Sequence, residues 1–342
     1  MKKNLVTGAT GIVGSHVLLS LLQKNEDVIA CRQKSSNIQK VLDLFSCYTD
    51  EAQQLFEKIK WIEIDLKDVF LLELAFEGVT CVYHCAGYVS FNSVHRKHLL
   101  DTNVNGTRNV VNACIHQKVE ALCYVSSLST LHNLDITEPL DEHVFWKSSG
   151  KESDYAFSKY KAELEVWRGI EEGLNSVIVN PGVILSPVFW DQSSGRIFNT
   201  CYKGNRFYPL GTTAYIAAAD VANCMIRLLE NKIFGQRFIL VEGNYSYKMI
   251  FSHIQKAFHK KPPFIPTKKS LLYLGWFADS ILSFLFDRPA LVTKAVIRSA
   301  MNTQTYSNNK IFQTLGYKFK PTFEQINFVC EKYLKVKEIA QK

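Results

Sequence analysis

Leu5-Val6-Thr7-Gly8-Ala9-Thr10-Gly11-Ile12-Val13-Gly14 is the stretch on which the reading of this chain turns. A short apolar strand runs into three glycines spaced GxxGxxG, and Ile12, Val13, Leu18, Leu19 and Leu22 then recur with helical spacing. Strand, glycine turn and helix in that order make a dinucleotide loop. The glycines allow a tight turn, let backbone NH groups approach a pyrophosphate at the helix N-terminus, and let helix and sheet pack closely. The expected cofactor contacts here are Thr7, Gly8, Thr10, Gly11, Ile12, Val13 and Gly14. The spacing is one residue longer than the common GxGxxG pattern.

The same alternation continues outward from this loop. Val28 to Cys31, Trp61 to Ile64, Cys81 to Tyr83, Leu122 to Val125 and Val177 to Val179 read as strands. Between them, Ile38 to Ile59, Leu71 to Ala75, Asn105 to His116 and Tyr155 to Ile170 read as helices. Repeated β and α segments of this length predict an α/β fold, a Rossmann-type doubly wound parallel sheet covered by helices on both faces. After Pro181-Gly182 the rhythm stops, and Ser186 to Gly211 reads as loops over a pocket. A helix at Ala218 to Glu230 and a strand at Phe238 to Val241 return to the first lobe. Pro262-Pro263 and Pro266 mark a connector, beyond which helical segments and a turn at Leu315-Gly316-Tyr317 follow. Residues 1–182 and 217–242 are thus expected to bind the dinucleotide. Residues 183–216 and 243–342 form a smaller, mostly helical substrate lobe.

Composition excludes several function classes. The 342 residues are 47% hydrophobic and 21% charged, enough apolar side chain to build a core and too much to remain disordered. The longest apolar run, Leu271 to Phe286, is broken by Gly275, Asp279, Ser280 and Ser283, short of the roughly eighteen residues of a membrane span. Thr7-Gly8 cuts the apolar stretch behind Met1-Lys2-Lys3 too early for a signal peptide, and nine scattered cysteines suit reduced thiols. The expected compartment is the cytoplasm, and no metal site is expected. The net charge of +8 gathers in residues 246–342, with 16 Lys and Arg against 5 Asp and Glu, but spread over several helices as a solvated face. No nucleic-acid module accompanies it.

Three further positions carry chemistry. Cys31 and Arg32 end the second strand where an acid would bind the ribose hydroxyls of NAD. An arginine there suits a 2'-phosphate, so NADP(H) is the expected cofactor, ahead of NAD. Asp65-Leu66 follows the third strand and could set a carboxylate beside adenine, or simply cap the next helix. Tyr155-Ala156-Phe157-Ser158-Lys159 places a phenol and an ammonium one helical turn apart, and a nearby cation stabilises phenolate. Ser126-Ser127 end a strand at the carboxyl edge of the sheet, the ligand side of such folds.

Together these segments resemble the extended branch of the short-chain dehydrogenase/reductases. That branch includes dihydroflavonol reductase-like carbonyl reductases, 3β-hydroxysteroid dehydrogenases and nucleotide-sugar epimerases. TGATGIVG is similar to the family's TGxxGxxG loop, His84-Cys85-Ala86-Gly87 to the segment passing the cofactor, and Asn103-Val104-Asn105-Gly106-Thr107 to its NVxGT helix. Pro181-Gly182, followed by Val183, is similar to the strand end beside the nicotinamide, and Tyr306 to Tyr317 to the C-terminal LGY region. The resemblance implies that Ser127 holds the substrate oxygen and Tyr155 exchanges its proton. Lys159 would bind the nicotinamide ribose and lower the tyrosine pKa, with Asn103 in support. It adds Asp65, Leu66, Cys85, Ala86, Gly87, Pro181, Gly182 and Val183 to the cofactor residues. Leu128 departs from the pattern, since members usually carry a small residue after this serine.

The expected activity is NADP(H)-dependent interconversion of a carbonyl compound and its alcohol. The alternatives are a nucleotide-sugar epimerase with tightly held NAD and a non-catalytic NADP-sensing protein. A 4,6-dehydratase is disfavoured, because Leu128-Ser129 stand where such enzymes resemble one another in an Asp-Glu pair. Phe189, Trp190, Phe198, Tyr202, Phe207 and Tyr208 could line a pocket for an apolar small-molecule substrate, or be ordinary core. The resemblance leaves open a homodimer and a peripheral membrane contact through Leu271 to Phe286.

Overall fold

Parallel strands buried on both faces are apolar along their length, and the runs picked out above obey that rule except Trp61 to Ile64, which carries Glu63 and lies at the sheet edge. In the computed structural model, which describes residues 2–131, 139–270 and 293–341 together with Leu272, Tyr273, Trp276, Phe277 and Asp279, they form seven of the twelve strands found among the described residues. The twelve are β1 (Lys3–Thr7), β2 (Asp27–Arg32), β3 (Lys60–Glu63), β4 (Cys81–His84), β5 (Ala121–Val125), β6 (Ser176–Pro181), β7 (Val183–Leu185), β8 (Phe207–Pro209), β9 (Thr212–Ala217), β10 (Gln236–Leu240), β11 (Gly243–Ser246) and β12 (Ile265–Thr267). The helices through residue 257 are α1 (Ile12–Gln23), α2 (Gln39–Phe45), α3 (Ala52–Glu57), α4 (Val69–Phe76), α5 (Arg96–Leu99), α6 (Gly106–His116), α7 (Asp154–Glu171), α8 (Arg196–Tyr202), α9 (Ala218–Glu230) and α10 (Tyr247–Ala257).

Seven strands make one sheet in the order β10-β6-β5-β4-β1-β2-β3, with every pairing parallel. Alternate residues of each strand enter different cores. In β5, Ala121, Cys123 and Val125 join Val17 of α1 and Val221 of α9, while Leu122 and Tyr124 join Val110 of α6 and Ala162 of α7. This is the Rossmann-type doubly wound architecture. Between β1 and β4 the order reverses direction, and ligands bind at the carboxyl edge of such a switch point. The glycine loop after β1 opens there, and so does the N-terminus of α7, which begins on a Ser153 cap whose hydroxyl accepts from Ala156 N at 3.0 Å.

Two expectations need correction. The helix expected over Ile38 to Ile59 is two helices, α2 and α3, separated at Tyr48-Thr49-Asp50. There the Thr49 hydroxyl takes the Glu51 NH at 3.2 Å, a local bond that competes with helix continuation. The loops expected over Ser186 to Gly211 contain α8 and β8. Flanking this segment, β9 pairs with β7 in parallel and with β11 antiparallel, while β8 pairs with β12. These short strands escaped notice because none carries a long apolar run; Pro266 sits inside β12, which a two-stranded edge tolerates.

The aromatic cluster belongs to a third core. Phe189 and Phe198 are fully buried, and Trp190, Tyr202 and Tyr208 pack around Phe258 of the α10 end and Tyr333 of the helix Thr322–Gln341. Only Phe207 among the six is exposed. Core packing is found for the other five. All nine cysteines are free thiols, seven of them buried, so they pack as small apolar side chains. No helix of the described residues is long and apolar enough to cross a membrane, and most of Leu271 to Phe286 lies outside those residues.

Candidate active site

The glycine loop has the shape of a cradle. Gly8 adopts φ +62°, and a Cβ on it would stand 2.6 Å from the Ala86 backbone; a Cβ on Gly14 would stand 2.3 Å from the Gly8 carbonyl oxygen. Only glycine lets the turn lie between β4 and α1. Gly11 N bonds the Gly8 carbonyl at 2.9 Å and caps α1, whose first NH groups, from Ile12 and Val13 onward, face out of the turn without intrahelical acceptors. A pyrophosphate fits such a loop, so the residues present suit a dinucleotide. Thr7 plays another part: fully buried, it contacts His84 Nδ1 at 2.6 Å and accepts from Ala86 N at 3.3 Å. It braces the loop from beneath, while Thr10 stays half-buried at the turn.

Arg32 ends β2 as expected, but its guanidinium is engaged: Nη2 lies 3.2 Å from Glu63 Oε2, and Nη1 donates to the Gln33 and Lys34 carbonyls. Asp65 is exposed and accepts from Lys67 N at 3.0 Å within a turn; the cap of α4 weighed for it above is made by Asp68, whose side chain accepts from Leu71 N at 3.0 Å. Leu66 packs on Gly106, and its carbonyl accepts from Asn109. Cys85 and Ala86 cross behind the loop. Gly87 lies between Asn103 and Lys159, so that a Cβ there would come 3.5 Å from Asn103 Oδ1 and 3.8 Å from Lys159 Nζ. Pro181, Gly182 and Val183 lead from β6 into β7, with Gly182 N bonded to the Leu240 carbonyl.

Helix α5 runs into α6 through a π-turn at Leu100–Asn105, a form that re-aims side chains. It turns Asn103 inward. Buried, Asn103 accepts from Tyr88 N at 2.7 Å and donates to the Tyr88 carbonyl and to Ser158 Oγ. Its amide thus holds the segment after β4 against α7.

The two serines after β5 divide their tasks. Ser126 is buried and donates to Glu163 Oε2 at 2.6 Å, whereas Ser127 is half-buried, accepts from Ser129 N at 3.2 Å and stands near enough to the Tyr155 phenol to pull its pKa down. Leu128, the departure noted in the sequence, points into an apolar cluster with Leu131, Leu140 and Val144 and leaves this register intact. Phe91 stands edge-on to Tyr155, ring centroids 5.7 Å apart, a contact no sequence signal announced.

Lys159 corrects one expectation. Its ammonium donates to Tyr124 OH at 2.7 Å and to the Val125 carbonyl at 2.8 Å, over the Tyr124 ring. Burial pushes the Lys159 pKa down to about 7, with Glu163 and Cys85 opposing. Burial likewise holds the Tyr155 phenol above its usual value, Ser127 pulling the other way. The phenol is not made acidic by the lysine, because the ammonium is turned toward β5 and its charge is partly lost to desolvation.

A glycine loop shaped for a dinucleotide, a serine and a tyrosine near one another at the sheet edge, and a buried lysine one turn along stand in the arrangement that the resemblance to the extended short-chain dehydrogenase/reductases implies. Residues 4–240 match the family model described as NAD dependent epimerase/dehydratase family, and the chain belongs to that family. It is 27% identical over 265 residues to sterol demethylase protein B of Methylococcus capsulatus, covering 75% of each chain. It is 25% identical over 276 residues to cinnamoyl-CoA reductase 2 of Medicago truncatula, covering 78% of this chain and 79% of that one. Among solved structures, gox2253 superposes with a TM-score of 0.81 at 26% identity, covering 98% of this chain and 99% of that chain. The UDP-glucose 4-epimerase of Thermus thermophilus in complex with NAD shares the fold at a TM-score of 0.71 and 18% identity, covering 97% and 99%.

Proposed function

We propose that this protein is an NADP(H)-dependent reductase that converts the carbonyl group of an apolar small molecule to an alcohol, or runs the reverse reaction. The observation that carries the reading is the convergence of Ser127, Tyr155 and the buried Lys159 ammonium, held by Tyr124 and the Val125 carbonyl, at the edge where the glycine loop opens. When bound, the reduced nicotinamide supplies a hydride. Ser127 holds the substrate oxygen, and Tyr155 delivers a proton to that oxygen as negative charge develops on it. With its pKa raised by burial, the phenol is fully protonated at neutral pH and suited to act as the acid in the reducing direction. Lys159 supplies a cation that strengthens as the pH falls below about 7. Asn103 positions the Tyr88 segment, and Phe91 gives the substrate side an apolar wall. Arg32, supported by the Lys34 to Ser36 turn, is the group to receive a 2'-phosphate. The names of the relatives matched in sequence, reductases among them, support reduction.

Glu63 beside Arg32 favours a second reading, an epimerase holding NAD, since a carboxylate near the β2 end suits free ribose hydroxyls. Parallel titration of NADPH and NADH, then oxidation of NADPH with a panel of aldehydes and ketones, separates the readings. Tighter NADPH binding and turnover of at least one carbonyl compound are expected. Tyr155→Phe should lower kcat by about a hundred- to ten-thousand-fold without weakening NADPH binding. Preference for NADH would favour the epimerase, and binding without turnover a sensor.

A further inference from the structure

Glu163 lies on α7 one turn beyond Lys159, buried, and its carboxylate is surrounded by donors from four parts of the chain. Oε2 accepts from Ser126 Oγ at 2.6 Å and Asn180 Nδ2 at 2.9 Å, and lies 2.9 Å from Thr130 Oγ1. Oε1 accepts from Arg237 Nη1 at 3.1 Å and Trp167 Nε1 at 3.4 Å. Two of these partners also hold Ser127 itself. Asn180 Nδ2 reaches the Ser127 carbonyl at 3.2 Å, and Thr130 Oγ1 lies 2.9 Å from the same oxygen. Arg237 in turn donates to the Glu142 carbonyl at 3.0 Å and to the Val144 carbonyl. A buried carboxylate so fully coordinated makes strong, directional bonds and tolerates no neutral substitute easily.

We propose that Glu163 is a positioning residue: its carboxylate clamps the turn that carries Ser127 to the helix that carries Tyr155 and Lys159, so that both hydroxyls meet one substrate oxygen. The inference rests on the reductase reading of that site. Without the clamp, β5 and α7 would still pack through Leu122, Tyr124, Ala162 and Val166, but the turn after β5 would be free to shift. A serine displaced by about 1 Å is enough to cost a large part of the rate.

The Glu163 charge also faces Lys159, whose other neighbours are Tyr124 of β5, His84 at the end of β4, Cys85 just beyond it, and Tyr155. Removing it has an electrical consequence that loss of packing would not have. The test is Glu163→Gln against Ser126→Ala, with kcat and KM measured across pH and the Lys159 side chain followed by NMR of protein carrying 13C-labelled lysine, its resonance assigned with Lys159→Arg. Glu163→Gln is expected to lower kcat at least about tenfold at nearly constant KM, and to move the Lys159 titration about one pH unit lower. Ser126→Ala, which keeps the charge, should lower kcat by a smaller factor and leave that titration in place. Wild-type kcat in Glu163→Gln, or an unmoved Lys159 titration, overturns the proposal. If Glu163→Gln does not fold, Ser126→Ala and Thr130→Ala decide: reduced kcat with unchanged NADPH binding supports the clamp, and unchanged kcat overturns it. If the wild type turns over no carbonyl compound, the reductase reading falls, while the NMR titration and hydrogen exchange of the Ser126 to Leu131 amides still decide whether Glu163 holds the turn.

Discussion

Two buried polar chains reach α7 from opposite sides of β5, and they are built on different electrostatics. From the β4 and β1 side, Thr7 Oγ1, His84 and Thr107 Oγ1 link in sequence, with His84 Nε2 2.9 Å from Thr107 Oγ1, and the His84 ring packs beside the Tyr124 phenol that Lys159 reaches. From the β6 and β10 side, Asn180 and Arg237 meet at Glu163, one turn further along. The first chain is neutral until its last member. The second is an ion pair whose side chains are 13% and 3% exposed, closed by hydroxyl, amide and indole donors. A neutral chain loses one hydrogen bond at a time when cut, whereas a broken ion pair leaves a buried charge with inadequate compensation. The charged side therefore carries the larger structural penalty, and the neutral side carries the pH sensitivity.

Arg237→Met is the most severe way to break this contrast. Leaving the Glu163 carboxylate without its cation should cost about 3 kcal/mol in urea unfolding at neutral pH. A loss under about 1 kcal/mol would mean that the hydroxyl and amide donors suffice and that the two chains are alike.

His84→Leu cuts the neutral chain at its centre. Its expected cost at pH 7.5 is about 2 kcal/mol, because Thr7 loses its imidazole partner inside the core. The pH dependence sharpens the distinction. Burial lowers the His84 pKa from 6.5 to about 3, so below pH 6.5 the unfolded chain takes up a proton that the folded chain refuses. Stability must fall as the pH drops through that window, and the fall should end near pH 3, where the folded state protonates too. His16, with its pKa lowered to about 4, adds a second acid-labile group. In His84→Leu the urea midpoint should therefore decline less steeply between pH 6.5 and 3 than in the wild type. Equal slopes would place the acid sensitivity elsewhere.

Thr107→Val is the smallest perturbation. It keeps the shape and removes a single link, for an expected loss of about 1 kcal/mol by urea unfolding. An effect as large as that of Arg237→Met would show that the neutral chain acts as one unit.

Much of the framework could be read in advance, because the strands of the large sheet are apolar on both faces and the glycine loop has only one economical conformation. That Ser127 and Tyr155 would lie on one side of the sheet was legible for a similar reason, since a strand end and a first helical turn share an edge in any βα unit. The short strands β7, β8, β9, β11 and β12 were not, since three to six residues are too few to show a periodicity. Glu163 lay in view at four residues beyond Lys159, the spacing that places side chains on one face. Nothing in the linear chain distinguished it from a solvated glutamate, because its partners Ser126, Thr130, Asn180 and Arg237 come from separate elements.

Local pattern alone thus determined the doubly wound sheet and the glycine turn and brought Ser126-Ser127, Tyr155 and Lys159 forward as candidates, since each depends on residues close together in the chain or on burial of whole strands. Tertiary packing decided which serine is free and which is locked, that the lysine turns to Tyr124, and that the phenol is harder to ionise than usual. These follow from desolvation and from the distances between groups far apart in sequence, and both quantities exist only once the chain has folded.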